Sequence, residues 1–227
     1  MRFLCLHGIG TSSQILKMQT AAIRYELADQ HTYQFVQGVV PWPMASGLKL
    51  LSDPSAEHWA YYDIGEGVAS SLATALEQLK AYLAAEGPFD GVLGFSQGAG
   101  LAAMFLVQRY YEDPLATPPF KLAIFFSPVS VYDPVAYQKS GEVKILDGPV
   151  DQKYVIRIPT AIIYGEEDSR RHECEGLVSS CDPTKLSVLV QKGGHEIAGI
   201  GLRSELAGTV NTIRRVIYLA QLSPRTH

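Results

Sequence analysis

The sequence predicts an α/β fold in a single domain, with a mostly parallel central sheet and helices on both faces. Three observations carry this. Short apolar runs of strand length recur at 2–6, 33–38, 89–93, 122–126, 160–164 and 186–190. Between several of them lie segments with apolar residues at helical spacing, and strands alternating with helices bury a parallel sheet on both sides. The residues with chemical potential fall just past strand ends, where such sheets gather their reactive groups. A length of 227 residues suits one domain over 1–227 and leaves no room for two sizeable ones.

Taken in order, 2–6 reads as a buried strand and 8–12 as a turn, with Ser12 or Ser13 capping a helix that runs to about Ala28. A second strand is expected at 33–38. The stretch 39–65 reads as a long irregular segment holding Pro41, Pro43, Pro54, Trp42, Trp59, Tyr61 and Tyr62. Segments of that length inside a domain are usually functional or disordered, and the aromatics speak against disorder. Leu72, Ala75, Leu76, Leu79 and Leu83 mark a helix over 67–86 that stops at Gly87-Pro88. After the strand at 122–126, the segment 129–158 has weak periodicity and reads as an insertion, a candidate lid or cap. The chain closes with a helix over 202–222.

Composition narrows the function classes. A net charge of −4 and a pI near 5.9, without a basic run, argue against a nucleic-acid surface. Cys5, Cys174 and Cys181 are odd in number and widely spaced, so no disulfide framework is expected. The first apolar run is too short for a signal peptide. Together these favour a reducing, cytoplasmic location. The stretch 91–107 is apolar apart from Ser96 and Gln97, but it holds four glycines and falls short of the about 20 residues that a bilayer needs. No membrane span is expected.

The most informative stretch is Gly94-Phe95-Ser96-Gln97-Gly98, a G-x-S-x-G between a predicted strand and a predicted helix. That context fits a nucleophile elbow, a strained turn that lifts a serine hydroxyl above the sheet edge. A serine needs a base within hydrogen-bond reach, and the base needs a third group to fix its tautomer. Past the strand at 160–164 come Glu166, Glu167 and Asp168, and Asp168, three beyond Gly165, is favoured over Glu167. Past 186–190 come Gly193, Gly194 and His195, where two glycines let the imidazole swing over the sheet edge. His31, His58, His172 and His227 read as surface residues, and no Cys/His spacing matches a zinc site. The N–H groups of Gln97 and of Ile9, in the early loop Leu6-His7-Gly8-Ile9-Gly10, are the candidate oxyanion donors. That loop is not a phosphate cradle: Ser13 stands where G-x-G-x-x-G needs its third glycine. No cofactor is called for. Phe95, Trp42, Met44, Tyr61, Tyr62 and Val129 are candidate walls of a pocket for a hydrophobic acyl chain.

The blocks Arg2-Phe3-Leu4-Cys5-Leu6-His7-Gly8-Ile9-Gly10-Thr11-Ser12, Gly94-Phe95-Ser96-Gln97-Gly98-Ala99, Tyr164-Gly165-Glu166-Glu167-Asp168 and Gly193-Gly194-His195 resemble the fungal family of serine hydrolases (FSH) in order along nearly the whole chain. The resemblance implies an α/β-hydrolase fold and a Ser96–Asp168–His195 triad. It also implies a role in which some members act beside fungal polyketide synthases, as thioesterases that release a finished chain from the acyl carrier protein. Two other readings stand beside it: a general carboxylesterase for small oxyesters, and a catalytically silent hydrolase fold acting as a binding protein.

Overall fold

The computed structural model describes residues 1–28, 30–48, 53, 55–65, 67–129, 131–133, 136–137, 140, 142–146, 148, 154–199 and 203–222. Strand β1 (Arg2–Leu6) pairs with β2 (Thr32–Val36) on one side. On its other side it pairs with β5 (Gly91–Phe95), and β6 (Leu122–Phe126), β7 (Thr160–Gly165) and β8 (Leu186–Gln191) follow outward. Every pairing in this six-stranded sheet is parallel. The strand order reverses between β1 and β5, so the loops leaving their carboxyl ends diverge and open a crevice there. The fold is the α/β-hydrolase fold.

Two-residue alternation along the strands sorts the core. Phe3, Cys5, Leu93, Phe95, Ile124 and Phe126 pack with helices α1 (Ser13–Gln19), α2 (Ala21–Glu26) and α6 (Leu206–Leu222). Leu4, Leu6, Val92, Phe125, Ile162 and Tyr164 pack on the opposite face with α3 (Val68–Glu86), α4 (Gln97–Glu112) and α5 (Arg171–Ser179). Each such side chain stabilises the fold by about 1.5–3 kcal/mol, and a sheet buried on both faces explains why the central strands read as unbroken apolar runs.

Several elements depart from the sequence expectation. The helix expected to run to about Ala28 is two helices, capped at its start by Ser12, whose hydroxyl accepts the Ile15 N–H. The break is at Thr20, where the backbone leaves helical geometry with φ −90 and ψ 2, while the Thr20 hydroxyl and N–H both donate to the Leu16 carbonyl. The stretch 39–65 contains a small antiparallel pair, β3 (Val40–Pro41) with β4 (Trp59–Ala60). Helix α5 has no legible signal in the sequence, because only Glu173, Cys174, Gly176 and Leu177 along its nine residues are buried and the apolar stripe is too narrow to read. The last helix starts at Leu206 after a short turn Arg203–Glu205, and Leu202 lies outside the described residues.

In the segment 129–158, Val129, Val131, Leu146, Val155, Ile156 and Ile158 are buried, and Tyr132 bridges Ile145. Residues 130, 134–135, 138–139, 141, 147 and 149–153 of that candidate lid lie outside the described residues. Among the described residues no helix is long and apolar enough to cross a membrane. Cys5, Cys174 and Cys181 are free and buried, and burial pushes the Cys174 thiol up to about 12.

The tightest contact in the sheet-to-helix packing is at Gly98. A methyl group there would sit 2.4 Å from the Leu6 carbonyl oxygen and 2.5 Å from that of His7. Both are backbone atoms, which cannot rotate aside. Gly98→Ala is therefore expected to lower unfolding stability by about 1–3 kcal/mol in urea denaturation; an unchanged midpoint would show that the end of β1 has room to move.

Candidate active site

Ser96 sits at the β5–α4 junction with φ 52 and ψ −118, a left-handed conformation rare for a side-chain-bearing residue. Strain of this kind is held in place by its surroundings. A methyl on Gly94 would lie 2.5 Å from the Ala99 Cα, so strand and helix pass too closely for anything but glycine. At Gly98 the crowding comes from the neighbouring strand β1 instead.

The structure brings Ser96, His195 and Asp168 together. His195 Nε2 lies 2.8 Å from Ser96 Oγ, and His195 Nδ1 lies 2.8 Å from Asp168 Oδ2. An ionised carboxylate only accepts, so Nδ1 carries the hydrogen and Nε2 is left to accept from the serine hydroxyl. Of the three acids after β7, only Asp168 makes this contact: its side chain is 0% exposed, while Glu166 and Glu167 face solvent. Burial acts to raise the Asp168 carboxyl, but the Arg170 N–H on Oδ1 at 2.9 Å and the His195 ring outweigh it and hold the group below the ordinary carboxylate range. The imidazole, 34% exposed, rests against the Phe95 ring at 5.2 Å.

Backbone bonds hold the acid and histidine loops to each other. Glu166 N–H donates to the Gln191 carbonyl and Glu167 N–H to that of Gly193. A methyl on Gly165 would lie 2.2 Å from the Gly193 carbonyl oxygen, so the two turns touch.

Gln97 opens α4, and a helix's first N–H groups have no partner within the helix. Its side chain, 2% exposed, accepts the Tyr61 N–H and donates to the Tyr62 carbonyl, clamping the aromatic segment to the elbow. Sequence reasoning considered only the Gln97 backbone; a lone amide among the small and apolar residues opening that helix was the signal for the clamp. The early loop lies beside the nucleophile: a methyl on Gly8 would sit 3.3 Å from Ser96 Cβ. Neither the Ile9 N–H nor the Gln97 N–H has an acceptor among the described residues.

Sequence reasoning also gave no role to His7, which is fully buried and packs at a tilt against the Tyr61 ring, 4.7 Å between centroids. Its Nε2 accepts the Gly38 N–H at 2.9 Å, while Nδ1 lies 2.8 Å from the Gly8 carbonyl oxygen. Burial pushes its pKa down to about 4, against the opposing pull of the Gly8 carbonyl.

The remaining candidates are dispersed. Trp42 and Trp59, both half-buried, line a shallow groove of about 400 Å³ with Pro41, Pro43, Glu57 and His58. Met44 is half-buried. Tyr61 and Tyr62 are packed into the core, at 8% and 0% exposure, and Val129 is buried over α4 against Gly100. Two of the four histidines expected at the surface need correction. His58 is buried at 5% exposure, because its carbonyl receives the Trp42 N–H and ties the start of β4 to the β3 arm. His31 is half-buried against the amino terminus, with Nδ1 3.2 Å from the Met1 nitrogen. His172 is exposed, and His227 lies outside the described residues.

Residues 1–198 match the family described as Serine hydrolase (FSH1). The chain belongs to that family. Esterase FPY3 of Fusarium mangiferae is 43% identical over 199 residues, covering 87% of this chain and 88% of that one. Hydrolase FUB4 of Gibberella moniliformis is 40% identical over 129 residues, 56% of this chain, and the match spans only 46% of that relative's length. Among solved structures, Arabidopsis thaliana SOBER1 superposes with a TM-score of 0.58 at 15% identity, over 96% of this chain and 99% of that one. A Bacillus cereus carboxylesterase does so at 0.53 and 15%, over 94% and 87%. At such identities the likeness is one of fold. The chain is thus a serine hydrolase.

The buried neutral His7 makes the stability of this FSH1 protein pH-dependent. Its folded pKa lies below the ordinary histidine value, so the unfolded chain binds the extra proton. Its contribution is fully present above about pH 6.5 and is lost as pH falls toward about 4, on the order of 3 kcal/mol in all. Urea denaturation across that window is expected to show the loss, and a His7→Asn variant, without the imidazole, should show a shallower slope.

Proposed function

We propose that this hydrolase cleaves an acyl thioester or ester through an acyl-enzyme, with Ser96 as nucleophile, His195 as general base and acid, and Asp168 as the group that fixes the histidine. The reading rests on one observation, the unbroken relay from Ser96 Oγ through His195 to Asp168 with both contacts at 2.8 Å. His195 Nε2 takes the hydroxyl proton as Ser96 attacks the carbonyl carbon. The Ile9 and Gln97 N–H groups receive the oxyanion, and each such donor is worth about 2.7–4 kcal/mol in the transition state. Collapse expels the thiol or alcohol, which takes the proton from His195. Water then attacks the acyl-enzyme with His195 again as base, and free acid leaves. Asp168 stays ionised throughout and stabilises the imidazolium.

The finer reading is release of a polyketide chain from an acyl carrier protein. What supports it is the resemblance to FSH members that accompany polyketide synthases, together with the apolar ring of Phe95 set against His195 beside the nucleophile. A general carboxylesterase acting on small oxyesters is the second reading, favoured by a relative named esterase.

Ser96→Ala is expected to lower turnover of p-nitrophenyl butyrate by about 10⁴–10⁶-fold, and Asp168→Asn by about 10⁴-fold. Retention of full hydrolysis by Ser96→Ala would refute the mechanism. For the substrate class, kcat/KM for an acyl-loaded carrier protein is expected to exceed that for the oxyester of the same acyl group. The reverse order would replace chain release with general esterase activity.

A further inference from the structure

The carbonyl of Gly8 is unusually well held. Its oxygen lies 2.8 Å from His7 Nδ1 and 2.7 Å from Thr11 Oγ1. The His7 tautomer follows from its other nitrogen: Nε2 accepts the Gly38 N–H, so Nδ1 carries the hydrogen and donates to Gly8. Thr11 Oγ1 also lies 3.1 Å from that Nδ1, so ring, hydroxyl and carbonyl form one closed group. His7 and Thr11 are 0% and 2% exposed, so both lie out of reach of bulk solvent. The loop is tied at both ends as well. Gly10 N–H donates to the Trp59 carbonyl, Trp59 N–H to that of Thr11, and His7 N–H to the Tyr61 hydroxyl.

The only cis peptide among the described residues precedes Pro88, so the Gly8–Ile9 bond is trans. In a trans peptide the C=O and the following N–H lie in one plane and point in opposite directions. Holding the Gly8 oxygen toward His7 and Thr11 therefore turns the Ile9 N–H away from them, while the Gly8 backbone itself lies against Ser96. We propose that His7 and Thr11 are positioning residues that set the Ile9 N–H as an oxyanion donor by fixing the plane of the Gly8–Ile9 peptide. The inference rests on the proposed function, since an oxyanion must form at Ser96 for the donor to matter. Neither side chain touches the reacting atoms. A donor held in place before reaction costs no reorganisation when charge develops, which is the source of its catalytic worth.

Four variants test it, read by steady-state hydrolysis of p-nitrophenyl butyrate and by inhibition with an alkyl trifluoromethyl ketone, whose serine adduct places an oxyanion in the same hole. Thr11→Val keeps the shape and removes the hydroxyl, whereas Thr11→Ser restores it. His7→Gln can still offer an acceptor to Gly38 but loses the donor to Gly8, whereas His7→Asn keeps an N–H near the position of Nδ1. Thr11→Val and His7→Gln are expected to lower kcat by about 10-fold or more with KM little changed, and to weaken the ketone by the same factor. Thr11→Ser and His7→Asn should recover most of both. Wild-type kcat in Thr11→Val would overturn the proposal, as would a loss of kcat with undiminished ketone affinity. Should the His7 variants fail to fold, the Thr11 pair decides. Ser96→Ala assayed in parallel separates the two claims: if it is inactive while Thr11→Val is unimpaired, only the positioning role fails.

Discussion

Strand β1 ends against the first turn of α4, where the Leu6 and His7 carbonyls come so close to Gly98 that no side chain fits between them. The rest of the site is arranged around this approach. It sets the loop Gly8-Ile9-Gly10 beside Ser96, next to the start of α4. It also depends on sheet topology: β1 and β5 are parallel neighbours with Leu6 opposite Gly94, so both chains leave the sheet at the same level. A different register would separate the candidate donors from the nucleophile by a residue or more.

A second backbone contact does the same for the other half of the site. Gly165 at the end of β7 lies against Gly193 and Gly194 after β8, and two N–H groups of the acid loop donate across to the histidine loop. Asp168 and His195 are thus placed by main chain rather than by side-chain packing, and the 34% exposed imidazole keeps a defined direction. Charge is distributed accordingly. Asp168 is buried, held ionised by the N–H and ring that face it, and close to the one group that becomes positive during reaction. His7, a few residues from the nucleophile in space, is kept neutral by burial and hydrogen-bonds only backbone and neutral side chains.

Much of this was legible in the chain. The central strands read clearly because burial on both faces demands unbroken apolar runs, and Ser96, Asp168 and His195 stood out because each follows such a run closely, past one or two glycines. Less was legible where local and tertiary signals diverge. The break at Thr20 is a local change of backbone dihedrals inside a helical apolar pattern that continues through it. Helix α5 is formed by a sequence too polar to show a stripe. His58 looks like a surface residue in sequence and is buried by the pairing of two strands of two residues each.

The amino-acid sequence by itself determined the α/β layering, the order of the central strands along the chain and the short list of residues with catalytic potential, because periodicity and turn chemistry are local properties. Sequence spacing favoured Asp168 among three neighbouring acids, and tertiary structure put it against the histidine with Glu166 and Glu167 turned to solvent, since the three differ by one step of backbone. Tertiary structure alone decided what His7, Thr11 and the Gln97 amide do. Their partners, Gly38, the Gly8 carbonyl and the Tyr61–Tyr62 backbone, are brought to them by the sheet and by hydrogen bonds that no spacing in the chain encodes.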